Sequence, residues 1–216
     1  EAQAGSLQKL ECDSLEVGTP YVDALKHYAR IIDLELDLHP ERLKLYLMLD
    51  GTLVLGRAVF KSLTEMVAEA DWPAQCKLFG FNALPAFLER EVLEVSRYTL
   101  DADDDLQALA DELVLGLECV NDRVGMATPR VLAMIINEAY WMHTEGAATQ
   151  QAIDSAMLKG VNYPKGPFAW AEQIGYAHLV KLLEALQSDG QAARYPIAPA
   201  LKQAALAAQI KLNEAR

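Results

Sequence analysis

The sequence predicts an α/β layer followed by an all-α domain. Three observations carry this. Short apolar runs with strand spacing alternate with helical segments over residues 21–121. From Pro129 onward the apolar residues fall only at helical spacing. The change of pattern falls near Arg123, so the expected domains are 1–121 and 122–216.

The elements follow in order. Residues 1–19 are weakly patterned and expected to be partly extended. Pro20 opens a helical stretch from Tyr21 to Ala29. Ile31 to Leu38 reads IIDLELDL, and its alternation from Asp33 onward predicts a half-buried strand. Pro40 suits the first turn of a helix continuing through Leu43–Leu49, and Asp50-Gly51 signals a turn. Thr52 to Val59 reads as a strand. Ser62, with Glu65 three residues on, is a capping-box start for a helix running to about Ala70, before Trp72-Pro73. Lys77–Phe81 and Val92–Tyr98 are strand candidates, all expected to lie parallel. Asp101 to Asp105 places acidic residues at the positive end of a helix that Gly116 stops, and Glu118–Asn121 is a last short strand.

In the second domain Val131, Leu132, Ile135, Ile136, Ala139, Met142 and His143 form one helical stripe ending at Gly146. Thr149 caps the next helix. Pro167 opens another through Ile174, Ala177–Leu186 is strongly helical, and Ala198–Asn213 is an Ala/Leu helix.

Composition bounds the function. Charged residues make up 23% and apolar residues 52%, an ordinary globular balance, and no apolar run reaches membrane-span length. A net charge of −12 disfavours nucleic acid and anionic membrane as partners, but not a small anion held locally. Cys12, Cys76 and Cys119 are odd in number and lack a CxxC, pointing to a reducing, cytoplasmic compartment and to buried or half-buried thiols. His27, His39, His143 and His178 form no HxxxH or HExxH, so no metal site is expected. No signal peptide is read.

The most distinctive stretch is AIDSAMLKGVNYPKGPFAWAEQIG, residues 152–175: helix, tight loop, helix. Asp154 sits in the first turn, near exposed amides. Gly160 permits a left-handed cap, Pro164 and Pro167 stiffen the loop, and Gly166 allows close backbone approach. By composition alone this is a rigid corner between two helices.

The pattern IDxAMxxGxNYPxGPxxWxxxxG, preceded by Leu132-Ala133-Met134-Ile135-Ile136-Asn137-Glu138-Ala139, resembles the C-terminal domain of 3-hydroxyacyl-CoA dehydrogenases. It is most similar to the second, appended helical domain of the phenylacetate-catabolism branch. Arg194-Tyr195-Pro196 to Leu201 is similar to the closing segment of that domain, and Phe81-Asn82-Ala83-Leu84-Pro85 to the FNPVP stretch upstream of it. The resemblance implies a truncated, degenerate Rossmann-like part with parallel strands. After it comes a dimerising helical domain of the 6-phosphogluconate dehydrogenase C-terminal-like type.

The family's chemistry needs a histidine base, a glutamate orienting it, and a serine and an asparagine on the substrate. Carried across without gaps, the histidine falls on Phe79, the serine on Val59 and the asparagine on Pro129. The glutamate falls on Glu91, the one catalytic candidate retained, or on Glu94 if the frame slips by a turn. Glu91 can equally be a solvated carboxylate of LEREVLEV. No GxGxxG occurs, because Gly51, Gly56 and Gly80 are isolated, so no cofactor is expected although the family uses NAD. Lys159, Lys165 and Arg130 could meet a CoA phosphate or simply face solvent. Trp141 and Trp170 read as core or interface anchors, and His143 and His178 as packed or rim residues.

Three functions compete. The first is a homologue from fatty-acid or aromatic-acid degradation that is non-catalytic on its own, forms a homodimer and binds an acyl-CoA or a partner. The second is an active NAD-dependent (S)-3-hydroxyacyl-CoA dehydrogenase completed by another chain. The third is a structural oligomerisation module.

Overall fold

The computed structural model describes residues 25–71 and 75–214. The readings for residues 1–24 (with Cys12 and Pro20) and for Trp72-Pro73 lie outside the described residues. Two compact units are present. One takes in Glu1–Ala83 and Phe87–Met126, the other Leu84–Ala86 and Ala127–Arg216.

The first unit is a sheet with helices on both faces. In chain order it comprises β1 (Arg30–Asp33), α1 (Leu43–Tyr46, entered through a 3₁₀ turn at Pro40–Arg42), β2 (Leu53–Arg57) and α2 (Leu63–Ala70). β3 (Lys77–Phe81), β4 (Val92–Arg97), α3 (Asp103–Leu113) and β5 (Gly116–Val120) follow. Among the described residues the sheet order is β1-β2-β3-β4-β5.

Alternation along the strands builds two cores. Leu53, Leu55, Phe79, Phe81, Leu93 and Val95 point to one face, against Leu106, Leu109 and Leu113 of α3. Val54 and Leu78 point to the other, against Leu43 and Tyr46 of α1 and Leu63, Met66 and Val67 of α2. Both faces are therefore dry, as a sheet covered by crossover helices requires.

Two strands, β4 and β5, run against the expected parallel layer. β1–β2, β2–β3 and β4–β5 pair in parallel, but β3–β4 is antiparallel, with Gly80 opposite Ser96. The reason is the connection: the residues between Phe81 and Val92 hold no helix, and a parallel return needs a crossover.

The second departure is IIDLELDL. Only its first three residues are strand, and Leu34 to Leu38 form turns. The Asp33 carboxylate accepts from Glu35 N (2.9 Å) and Tyr46 Oη (2.9 Å), which turns the chain at once. Leu36 is then fully buried against β2, where Gly56 leaves room. A Cβ at Gly56 would lie 2.2 Å from Leu36 Cδ2. The apolar–acidic alternation thus reflects a buried turn whose Asp37 also goes inside.

The helix signals behave as read. Ser62 Oγ accepts from Glu65 N at 3.2 Å, and Asp122 adds a second cap by accepting from Leu63 N and Thr64 N. α3 ends one step earlier than Gly116 suggests, on Val114 in a left-handed conformation (φ 57°).

The second unit is helical: α4 (Thr128–Thr144), α5 (Gln150–Gly160), α6 (Pro167–Ile174), α7 (Tyr176–Leu186) and α8 (Pro199–Glu214). Thr149 caps α5 through Ala152 N (3.2 Å). Asn137, buried in α4, donates to Pro196 O (2.8 Å) and accepts from Ala198 N (2.9 Å), so one amide pins the segment leading into α8. Trp141 Nε1 donates to the same carbonyl at 3.3 Å.

Candidate functional site

Helix N-termini place the helical unit's most distinctive residues. Asp154 lies in the second turn of α5, beyond the first turn where its sequence position suggested it would act. Its carboxylate reaches the next helix instead, accepting from Phe168 N (2.9 Å) and Ala169 N (3.3 Å) at the start of α6. A carboxylate there is favoured by both the free amides and the helix dipole. Gly166 is required by that contact, because a Cβ would lie 2.1 Å from Asp154 Cγ. The left-handed residue closing α5 is Asn162 (φ 58°), whereas the sequence pointed to Gly160. The motif is a self-capped helical corner.

Beside it runs a tyrosine pair. Tyr140 is in ring contact with Phe168 at 4.7 Å, and the Tyr176 hydroxyl and the Glu172 carboxylate lie near its own hydroxyl. Burial, before any neighbouring charge, raises both phenols above their ordinary value. The Tyr140–Phe168 contact holds α4 to α6. His143 Nδ1 donates to Ala148 O (3.3 Å), and His178 Nδ1 to Ile174 O (2.8 Å). Lys165 bonds Gln173 and lies 5.1 Å over the Trp170 ring, Arg130 faces Asp189 at 3.9 Å, and Lys159 is exposed. These three cations do not converge on one point shown by the structure.

In the α/β unit the family-equivalent positions separate. Phe79 is fully buried, its ring in the core under α3. Val59 is also fully buried, and its backbone N–H donates to Asp37 Oδ2 at 2.8 Å. Glu91 is exposed before β4, whereas Glu94 is 8% exposed within the strand, its carbonyl accepting from Asn82 N at 3.1 Å. Pro129, in the helical unit, is buried in the first turn of α4.

The sequence reading missed a buried ion pair. Arg57 Nε donates to Asp37 Oδ1 at 2.6 Å, and Asp37 Oδ2 accepts from Val59 N and Phe60 N, both at 2.8 Å. The Arg57 guanidinium also lies 4.9 Å over the Phe60 ring. Burial raises the Asp37 carboxyl above its ordinary value, against the opposing pull of Arg57 and the two amides. The only trace in the sequence is an acid in an apolar run and an arginine at the end of a strand.

This pair decides whether a dinucleotide fits. In open parallel sheets ligands bind outside the carboxyl ends of the strands, on a glycine-rich turn. Here the turn after β1 has no glycine, and the end of β2 is occupied by Arg57, Asp37 and Phe60, all buried. These residues do not fit NAD.

The family described as 3-hydroxyacyl-CoA dehydrogenase, C-terminal domain, matches residues 125–215. That match places the helical unit in the 3-hydroxyacyl-CoA dehydrogenase family. The 3-hydroxyadipyl-CoA dehydrogenase of Escherichia coli is 46% identical over 87 residues, which is 40% of this chain and 18% of that protein. A probable 3-hydroxybutyryl-CoA dehydrogenase of Bacillus subtilis is 30% identical over 154 residues, 70% of this chain and 53% of that protein. The crystal structure of (S)-3-hydroxybutyryl-CoA dehydrogenase from Ralstonia eutropha superposes with a TM-score of 0.70 at 25% identity, over 87% of this chain and 68% of that one. The chain thus spans between about a fifth and about half of the length of these two relatives. The α/β-plus-helical fold expected from the resemblance is the fold observed. Among the described residues no helix is long and apolar enough to cross a membrane.

Proposed function

We propose that this family member is non-catalytic as it stands and acts as a cytoplasmic, homodimeric acyl-CoA- or partner-binding homologue in fatty-acid or aromatic-acid degradation. The observation that carries the reading is Phe79: the position equivalent to the family's proton-transferring histidine is a phenylalanine with no exposed surface. A buried phenyl ring neither accepts a proton nor reaches a substrate. The plugged end of β2 supports the same reading.

The chemistry left to the chain is recognition. Phosphates of a CoA would be met by Lys159, Lys165 or Arg130, the candidate cations of the helical unit. The dimer reading is supported by α8. Every residue from Leu206 to Glu214 is exposed, with Leu206 at 63% and Ile210 at 49% one turn apart. A helical stretch that short is marginal in water without a covering surface.

Acetoacetyl-CoA with NADH is the decisive assay. No loss of NADH absorbance is expected, and calorimetric titration is expected to show no NAD affinity. Micromolar NAD binding by this chain overturns the reading. The Leu206→Asp/Ile210→Asp pair is expected to move the chain from dimer to monomer in light scattering, and a wild-type monomer at high concentration refutes the dimer.

A second reading, an active dehydrogenase completed by further polypeptide, is favoured by Glu94, a buried carboxylate on β4 where the slipped frame places the family's glutamate. NADH consumption appearing only when a second chain is added selects it. The B. subtilis relative, nearly twice as long as the matched part, supplies a template for such a chain.

A further inference from the structure

β5 ends the sheet, and its residues are exposed to an unusual degree. Gly116, Glu118 and Cys119 are exposed, and Leu117 and Val120 half-buried. β5 pairs with β4 on one side, and among the described residues nothing is hydrogen-bonded to its other side. Such an edge is a row of unused amides and carbonyls, normally shortened, twisted away or covered.

The columns of side chains across this edge are specific. In the parallel register Val92 stands beside Gly116, and Glu94 beside Glu118. Gly116 offers no side chain, so Val92 is left 51% exposed with its Cγ2 3.4 Å from where a Cβ at Gly116 would be. Two residues on, two carboxylates are neighbours on the same face. Like charges directly opposite weaken a sheet, and the outermost of the two lies at the open edge. A further strand carrying an apolar residue beside Gly116 and a cation beside Glu118 would cover Val92 and end the acidic column. The approach is marked by Val114, a β-branched residue held at φ 57° and 79% exposed just before the strand. That conformation is costly for valine.

Charge also decides between occupants. An in-register antiparallel pairing of two β5 strands puts Glu118 opposite its own copy, in a unit that already carries 24 acidic against 11 basic residues through Met126. A second copy is therefore disfavoured at this edge, and a basic segment is favoured.

We propose that the outer edge of β5 is a docking site for an extended segment of a partner protein. That segment has an apolar residue followed two positions later by lysine or arginine, and it adds to the sheet as a further strand. The site is separate from the dimer surface proposed for α8.

A fluorescent peptide in which valine and lysine alternate at every second residue with threonine between them, and a glutamate-for-lysine version as control, tests this on the whole chain. Fluorescence anisotropy is expected to show binding of the lysine peptide only, with amide NMR shifts concentrated at residues 116–120. Glu118→Lys is expected to weaken that binding at least tenfold and to admit the glutamate control, and Glu118→Gln to weaken it less. Both variants change an exposed side chain, and circular dichroism checks their fold. Affinity unchanged in both variants, or shifts spread over the acidic surface, shows non-specific adsorption and overturns the proposal. A wild-type β5–β5 dimer also overturns it.

Discussion

The two units of this chain differ in charge and in what they kept. Up to Met126 there are 24 acidic and 11 basic residues, and beyond it 7 acidic and 8 basic. The α/β unit therefore carries −13 and the helical unit +1, which together make the net −12. The helical unit matches its family along its length, and its polar residues are spent on caps and pins: Asp154 on α6, Asn137 on the α8 entry, Thr149 on α5. The α/β unit keeps the fold, with Phe79 and Val59 fully buried and the Arg57–Asp37 ion pair at the end of β2. The α/β unit is held by its burial pattern, whereas a capped corner cannot lose its cap cheaply.

The ion pair gives the largest test. Arg57→Ala leaves the Asp37 carboxylate buried without its cation and is expected to cost the α/β unit about 3–5 kcal/mol. Replacing both, Arg57→Met with Asp37→Leu, is expected to restore most of that in urea unfolding. If the single variant unfolds no earlier than wild type, the pair is not structural.

In the helical unit the matching experiment is Gly166→Ala. The added methyl collides with Asp154, and a loss of about 1–3 kcal/mol is expected from overpacking. Asp154→Gly in the same background should recover the collision but not the cap, so the double variant should lie between. A thermal midpoint equal to wild type for Gly166→Ala shows that the corner relaxes freely.

Titration separates the units next. Burial pushes the Cys76 thiol up to about 11 from 9.0. A raised pKa means the stability it contributes is complete below pH 9 and is lost as pH rises to 11. The α/β unit should lose on the order of 2 kcal/mol across that window, and Cys76→Ala should flatten the curve. Asp37 has the same sign: its carboxyl is raised, so acidification through its range favours the folded state, and Asp37→Asn should remove that slope. A loss of stability in acid that vanishes in Asp37→Asn contradicts the sign. In a Cys12→Ser background, exposed Cys119 should react with a thiol reagent at once and buried Cys76 only on opening of the unit.

The smallest effects compare caps. Ser62→Ala and Thr149→Ala should each cost about 1 kcal/mol, one in each unit. Ser62→Ala should cost the less of the two, because Asp122 still holds Leu63 N and Thr64 N. Equal losses show that Asp122 does not share the capping.

What was legible follows from range. The caps at Ser62 and Thr149, the acidic start of α3 and the helix opening at Pro167 are interactions across three or four residues, so the sequence states them directly. The misread strand from Asp33 to Leu38 shows the limit. Its alternation satisfies a strand locally, but Asp33 is claimed by Glu35 N and Tyr46, and Asp37 by amides more than twenty residues away. The candidate site divides in the same way. The family positions Phe79, Val59 and Pro129 were readable by spacing, whereas the choice between Glu91 and Glu94 depends on a strand register that sets one in solvent and the other inside.

By itself the sequence determined an α/β layer followed by helices and the family corner at residues 152–175. Only the tertiary structure decided that β4 runs antiparallel, that Arg57 and Asp37 close the end of β2, that Asp154 serves the following helix, and that β5 stands open beside an acidic column. The physical reason is the same in each case. Propensity and periodicity act between near neighbours, while pairing direction, buried charge and an uncovered edge are settled between segments distant in the chain.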